Sequence, residues 1–225
     1  MAIVDADAAA RAGWTMVDLA AAYVTGGATL LQLRAKKAAS GWLLDIATAI
    51  VALAHRANAM VIVNDRADIA RLSGADGVHV GQDDLAPAAV RQIIGAGAGL
   101  QGPGSPGEPV EIAAGAEAIV GLSTHTPEQL EAALHLPVSY IAIGPVFATD
   151  TKATGYTGLG LEAVRRAAAR TGERGVPLVA IGGVTLETAP EVIRAGAGTV
   201  AVINDLVAAG DPASRVRAYL ARLTV

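Results

Sequence analysis

Between Val61 and Asp84 the chain reads VIVNDRADIARLSGADGVHVGQDD, and two of its acidic clusters directly follow apolar runs. Asp65 comes after MVIVN, and Asp83 and Asp84 come after GVHVGQ. Aspartates at such places commonly cap helices, and Asp68 and Asp76 read in that way. Two carboxylates delivered to one point can instead hold Mg²⁺, with water and phosphate oxygens completing its octahedron. A second group lies upstream in LLQLRAK, where strand alternation puts Gln32, Arg34 and Lys36 on one side. A buried arginine requires an anionic partner, so this trio beside carboxylates has the chemistry of a metal-assisted phosphate site. Further hydroxyls and a cation stand in GLSTHT and GPVFATDTKATGY: Ser123, Thr149, Thr151 and Lys152. Taken singly, each of these reads as a turn or cap residue.

These residues need a frame that brings distant segments together. Four segments, GGATLLQL, GADGVHV, GAEAIVGL and GAGTVAVI, share a glycine followed by an apolar run, the pattern of a helix end leading into a strand. With AIVD, MVIVN, YIAIG and PLVAIGG they make eight candidate strands. Helical patterns such as TMVDLAAAYVT, GWLLDIATAIVALAHRA and PEQLEAALH lie between them. Eight strand-then-helix units in 225 residues predict a single-domain α/β protein, a (β/α)₈ barrel spanning 1–225, with a doubly wound open sheet as the alternative. In a barrel the C-terminal strand ends build the active site, and all the polar groups above fall there. IGGV after the seventh strand and VIND after the eighth occupy the usual phosphate-binding position. Two anion sites, one cationic and one of glycine backbone, point to two phosphorylated substrates and to group transfer over hydrolysis. The Gly- and Pro-rich stretch from Gly95 to Pro109 is expected to be a loop on the opposite face.

Composition narrows the function further. The chain is 52% hydrophobic and 17% charged, with a net charge of −4 and no basic stripe, which argues against nucleic acid as a partner. Having no cysteine, it has no disulfide scaffold, thiolate metal site or cysteine nucleophile. No apolar run approaches the roughly 20 residues of a membrane span, and MAIVDADAAA lacks the flanks of a signal peptide. The expectation is a cytoplasmic enzyme acting on small molecules, with a homo-oligomer left open.

In order along the chain, QLRAK, NDRADIA, GADGVHVGQDD, GLSTHT, GPVFATDTK, GLGLE and AIGGVT resemble the thiamine-phosphate synthase family over nearly the whole sequence. The resemblance implies a TIM barrel that joins a hydroxymethylpyrimidine diphosphate to a thiazole phosphate with Mg²⁺, releasing diphosphate. It implies that Gln32, Leu33, Arg34, Ala35, Lys36 and Asn64 receive the pyrimidine diphosphate and that Asp65 and Asp84 bind Mg²⁺. Ser123 and Lys152 then lie near the diphosphate and the reacting carbon, with Arg34 as the third catalytic group. Thr149, Thr151, Gly183, Ile203 and Asn204 receive the thiazole phosphate; the family often has serine where Asn204 stands.

Two other readings compete. A thiazole tautomerase-like isomerase on the same fold needs a proton carrier, for which His125 is the candidate. A barrel that binds phosphate without catalysis needs only Gly182, Gly183 and the eighth-strand loop, and leaves Arg34, Asp65, Asp84 and Lys152 without a shared purpose.

Overall fold

The computed structural model describes residues 1–95, 117–148, 158–208 and 210–223. Eight parallel strands follow one another around a ring: β1 (Ala2–Asp5), β2 (Leu30–Arg34), β3 (Met60–Asn64), β4 (Gly77–Val80), β5 (Ile119–Thr124), β6 (Tyr140–Ile143), β7 (Leu178–Ile181) and β8 (Thr199–Ala201). An Ala2–Val202 bridge joins the last strand to the first, and Ile3 N–H donates to the Val202 carbonyl at 3.0 Å. The expected (β/α)₈ barrel is thus present, with every anticipated strand in place.

Strand alternation sorts the side chains into two cores. Ile3, Ile62, Tyr140, Ala142, Val179 and Ala201 fill the barrel interior. Val4, Leu31, Leu33, Val61, Val63, Val78 and Val80 face outward into the layer shared with the helices. Strands apolar on both faces are what a helix-covered parallel sheet demands. The polar residues of the strand ends therefore share the inward register, as Asp5 and Asn64 lie two residues beyond Ile3 and Ile62: Asp5 and Arg34 are register partners, as are Asn64 and His79.

The covering helices are α1 (Ala6–Arg11), α2 (Met16–Thr25), α3 (Ser40–Arg56), α4 (Ala67–Ser73), α5 (Pro87–Gly95), α6 (Pro127–Ala133), α7 (Gly160–Gly172), α8 (Ala189–Arg194), α9 (Asn204–Val207) and α10 (Pro212–Leu223). Their starts follow from local chemistry. Thr126 caps α6 by accepting from Gln129 N–H at 3.2 Å, with Pro127 in the first turn where no backbone donor is needed. Asp5 caps α1 through Ala8 N–H at 2.9 Å. The sequence reading placed no helix at 6–11, although an aspartate before an alanine-rich run is an adequate signal. Of the Gly- and Pro-rich stretch, Gly95 closes α5 and the remainder lies outside the described residues.

Gly121 leaves room for an aromatic ring on the neighbouring strand. A Cβ at Gly121 of β5 would meet the Tyr140 ring at 2.1 to 2.5 Å. Its absence lets that ring lie across the neighbouring strand inside the barrel.

Candidate active site

At the ends of β1 and β2, Arg34 is buried with its guanidinium donating to Asp5. Asp5 is 2% exposed and also caps α1, so the carboxylate that neutralises Arg34 is itself fixed by backbone. Arg34 Nε is buried and has no hydrogen-bond partner among the described residues. Asp5, Arg34, Lys36, Lys37 and Trp42 help line a cavity of about 330 Å³ that opens at this rim. Gln32 lies one step deeper and is 3% exposed, whereas Leu33 packs into the helix-facing core and has only its backbone near the strand end. Ala35 is half-buried and lines the same cavity.

The carboxylates expected to bind metal stand side by side. Asp65 follows β3 with φ of 64°, a left-handed conformation that aspartate tolerates better than most residues. Its N–H donates to the His79 carbonyl at 2.8 Å, tying the turn to β4. It does not cap α4, which has no side-chain cap. Lys36 Nζ lies 3.0 Å from Asp65. Burial pushes the Asp65 carboxyl above its ordinary pKa; Lys36 opposes that rise and the adjacent Asp84 reinforces it. Asp84 Oδ2 accepts from Gly81 N–H at 2.8 Å, which turns it back toward the strand end. Two near carboxylates, with the Asp65 pKa raised, are an all-oxygen donor pair that a divalent cation relieves, and this fits Mg²⁺. Among the described residues no third acidic or histidine ligand joins them, so water and substrate oxygens would complete the shell. Asn64 is 8% exposed at the inward end of β3, beside this pair. Asp68 and Asp76 have structural roles, pairing with Arg66 and with Val61 N–H and His55.

The deeper floor holds residues that sequence reasoning missed. His79 Nε2 is 2.8 Å from Ser123 Oγ, and its Nδ1 is 2.8 Å from the Tyr140 hydroxyl. The His79 and Tyr140 rings stack at 5.5 Å. Burial holds the Tyr140 hydroxyl well above its ordinary pKa, with the Gln32 amide opposing it. The signal available was periodicity: in GVHV the histidine takes an inward-facing position, as Gly121, its register partner, and Ser123 do in IVGLST. His125, by contrast, lies after β5, where its Nδ1 donates to the Gly144 carbonyl at 2.5 Å and its N–H donates to Gln129 Oε1 at 2.7 Å. That ring is anchored to backbone, as a positional histidine is.

The far side of the rim is built from loops after β6, β7 and β8. Gly183 has φ of 65°, and a Cβ there would lie 2.7 Å from both Phe147 Cβ and Ala148 O. Phe147 N–H donates to the Gly182 carbonyl at 3.0 Å. The glycine pair thus seats one loop on its neighbour, so a side chain at Gly183 would collide with the protein before it met any ligand. Asp205 fastens the third loop: it accepts from Leu186 N–H at 3.1 Å, Arg215 Nη2 at 2.8 Å and Tyr219 Oη at 2.5 Å. Ile203 points toward the interior core from the residue before α9. The Asn204 side-chain oxygen accepts from Arg11 at 3.3 Å. Thr149, Thr151 and Lys152 lie outside the described residues.

Similarity to known proteins agrees with this geometry. The family model described as thiamine monophosphate synthase matches residues 1–100 and 105–206. A thiamine-phosphate synthase of Koribacter versatilis is 40% identical over 206 residues, covering 92% of this chain and 85% of the relative. Another, from Chlorobium luteolum, is 38% identical over 205 residues, covering 91% and 86%. Among solved structures, a thiamine phosphate pyrophosphorylase from Pyrococcus furiosus superposes with a TM-score of 0.80 at 25% identity, covering 99% of this chain and 93% of that one. A 3-hexulose-6-phosphate synthase superposes at 0.65 with 18% identity, covering 99% of each chain, and shares the fold. With the family model spanning all eight strands and the relatives matching nearly end to end, the chain belongs to the thiamine monophosphate synthase family.

Proposed function

We propose that this enzyme joins the methylene carbon of a 4-amino-5-hydroxymethylpyrimidine diphosphate to the nitrogen of a thiazole phosphate, giving thiamine phosphate and diphosphate. The observation that carries this reading is the rim at β2 and β3: Arg34, paired with Asp5, and Lys36, paired with Asp65 beside Asp84, line or adjoin a cavity with room for a diphosphate. The 4-amino group releases electron density to the methylene carbon, so the carbon–oxygen bond can break first and leave a stabilised pyrimidine cation. The thiazole nitrogen attacks with its own lone pair, and no general base is required. The protein has to stabilise charge on the departing diphosphate and align the nucleophile.

Arg34, held by Asp5, presents a preset guanidinium to the leaving group. Asp65 and Asp84 would hold Mg²⁺, which when bound neutralises diphosphate charge. Lys36 then exchanges its carboxylate partner for phosphate oxygens, and Lys152 is assigned a second cationic contact. Ser123 donates from the floor, Gln32 and Asn64 orient the pyrimidine, and Thr149, Thr151, Gly183 and the Ile203–Asn204 backbone receive the thiazole phosphate. A cytoplasmic location accords with such small soluble substrates. The isomerase reading rests on His125, whose Nδ1 is held by the Gly144 carbonyl so that Nε2 would have to carry the proton.

The test is diphosphate release by purified enzyme given the pyrimidine diphosphate and Mg²⁺. Release should depend on added thiazole phosphate, yield thiamine phosphate in equal amount and stop with a chelator. Release without coupled product would make the protein a hydrolase and reject the proposal.

A further inference from the structure

His79, Ser123 and Tyr140 form a buried hydrogen-bonded row across the barrel, with exposures of 5, 4 and 6%. A serine oxygen 2.8 Å from an imidazole nitrogen has the spacing of a nucleophile and its base. The proton can lie in two orders, and they give Ser123 opposite chemistry. If Ser123 donates to Nε2, the ring withdraws its proton and the hydroxyl becomes a nucleophile. If Nε2 carries the proton, Ser123 accepts from the ring and its own hydroxyl proton is left to donate elsewhere.

The surroundings choose between these orders. Tyr140 sits among Ile3, Ile62, Ala142, Val179 and Ala201, so it keeps its hydroxyl proton and must place it on an acceptor. Among the described residues the acceptor within hydrogen-bond distance of the Tyr140 hydroxyl is His79 Nδ1 at 2.8 Å, so the phenol proton goes to that nitrogen. With Nδ1 accepting, a neutral imidazole carries its proton on Nε2. An imidazolium would direct donors at both hydroxyl oxygens from within an apolar layer.

We propose that His79 is a positioning residue, held by Tyr140 as the neutral Nε2–H tautomer, which makes Ser123 a hydrogen-bond donor toward the substrate and not a nucleophile. This inference rests on the proposed function for the identity of the ligand, but its proton order is a property of the ligand-free chain. Such a donor suits a reaction in which negative charge develops on a leaving group.

The experiment is long-range ¹H–¹⁵N correlation on ligand-free, ¹⁵N-labelled protein, which distinguishes a protonated from a bare ring nitrogen. His79 is expected to show Nε2 protonated and Nδ1 bare at neutral pH. Tyr140→Phe should weaken that preference. In the coupling assay, His79→Leu should lower kcat roughly tenfold with little change in the KM for thiazole phosphate. His79→Gln, whose amide can place an N–H near the former Nε2, should recover part of the loss. A protonated Nδ1 or an imidazolium in the wild-type protein overturns the proposal, as does equal loss in both His79 variants. If no coupling occurs at all, the proposed function fails while the tautomer is still read directly.

Discussion

At the scale of single residues, the two aspartates and the buried arginine make separable predictions. Asp65→Asn should raise the Mg²⁺ concentration needed for half-maximal coupling, because a carboxylate of the pair is lost. It should leave thermal stability unchanged or slightly higher, since asparagine suits the left-handed φ of 64° and the crowding with Asp84 disappears. Asp65→Ala is a poorer probe, adding about 1 kcal/mol of backbone strain to the lost ligand. Asp5→Ala strands the Arg34 charge in the rim, and breaking a buried pair in this way should cost about 3 kcal/mol in urea denaturation. Arg34 and Asp65 were legible in the sequence because a cation or carboxylate that ends an apolar strand is conspicuous. Asp5 was not, because a single aspartate closing AIVD looks the same whether it caps a helix or neutralises an arginine, and here it does both.

At the scale of elements, Asp205 ties the loop after β7 to α9 and α10. Burial alone would raise its pKa, yet the hydrogen bonds from Arg215 and Tyr219 outweigh it and hold the carboxyl below the ordinary range. A group depressed on folding stabilises the native state above its unfolded pKa, and that contribution disappears as pH falls through the folded value. Acid titration should therefore remove stability from the wild type at low pH, while Asp205→Asn should show a smaller acid-dependent loss. At neutral pH the variant should be about 2 kcal/mol less stable by denaturant titration. Its KM for thiazole phosphate should rise more than its kcat falls, because the cradle loosens while the diphosphate side is untouched. Four of the strands were readable because a helix-ending glycine leads into an apolar run, and the other four from their apolar runs alone. The contacts between loops were not, since Leu186, Asp205 and Arg215 meet only after the ring has closed.

For the whole molecule, the barrel explains why residues from eight segments act together: alternation along each strand sends apolar groups to the two cores and polar groups to one rim. The count of strand and helix units made this architecture legible, together with the face that gathers the candidate site residues. The inner row of His79, Ser123 and Tyr140 stayed hidden, because a histidine in an apolar strand has no partner until the barrel brings β4, β5 and β6 side by side. The central claim is that the rim couples two phosphorylated precursors by loss of diphosphate, without a base. Its most direct test is a single-turnover quench with enzyme in excess over pyrimidine diphosphate, in the presence of Mg²⁺ and thiazole phosphate, run with the wild type and His125→Ala. Thiamine phosphate should form in both, with the variant slowed by less than about tenfold. Absence of thiamine phosphate in the wild type, together with His125-dependent isomerisation of a thiazole phosphate alone, would contradict the account.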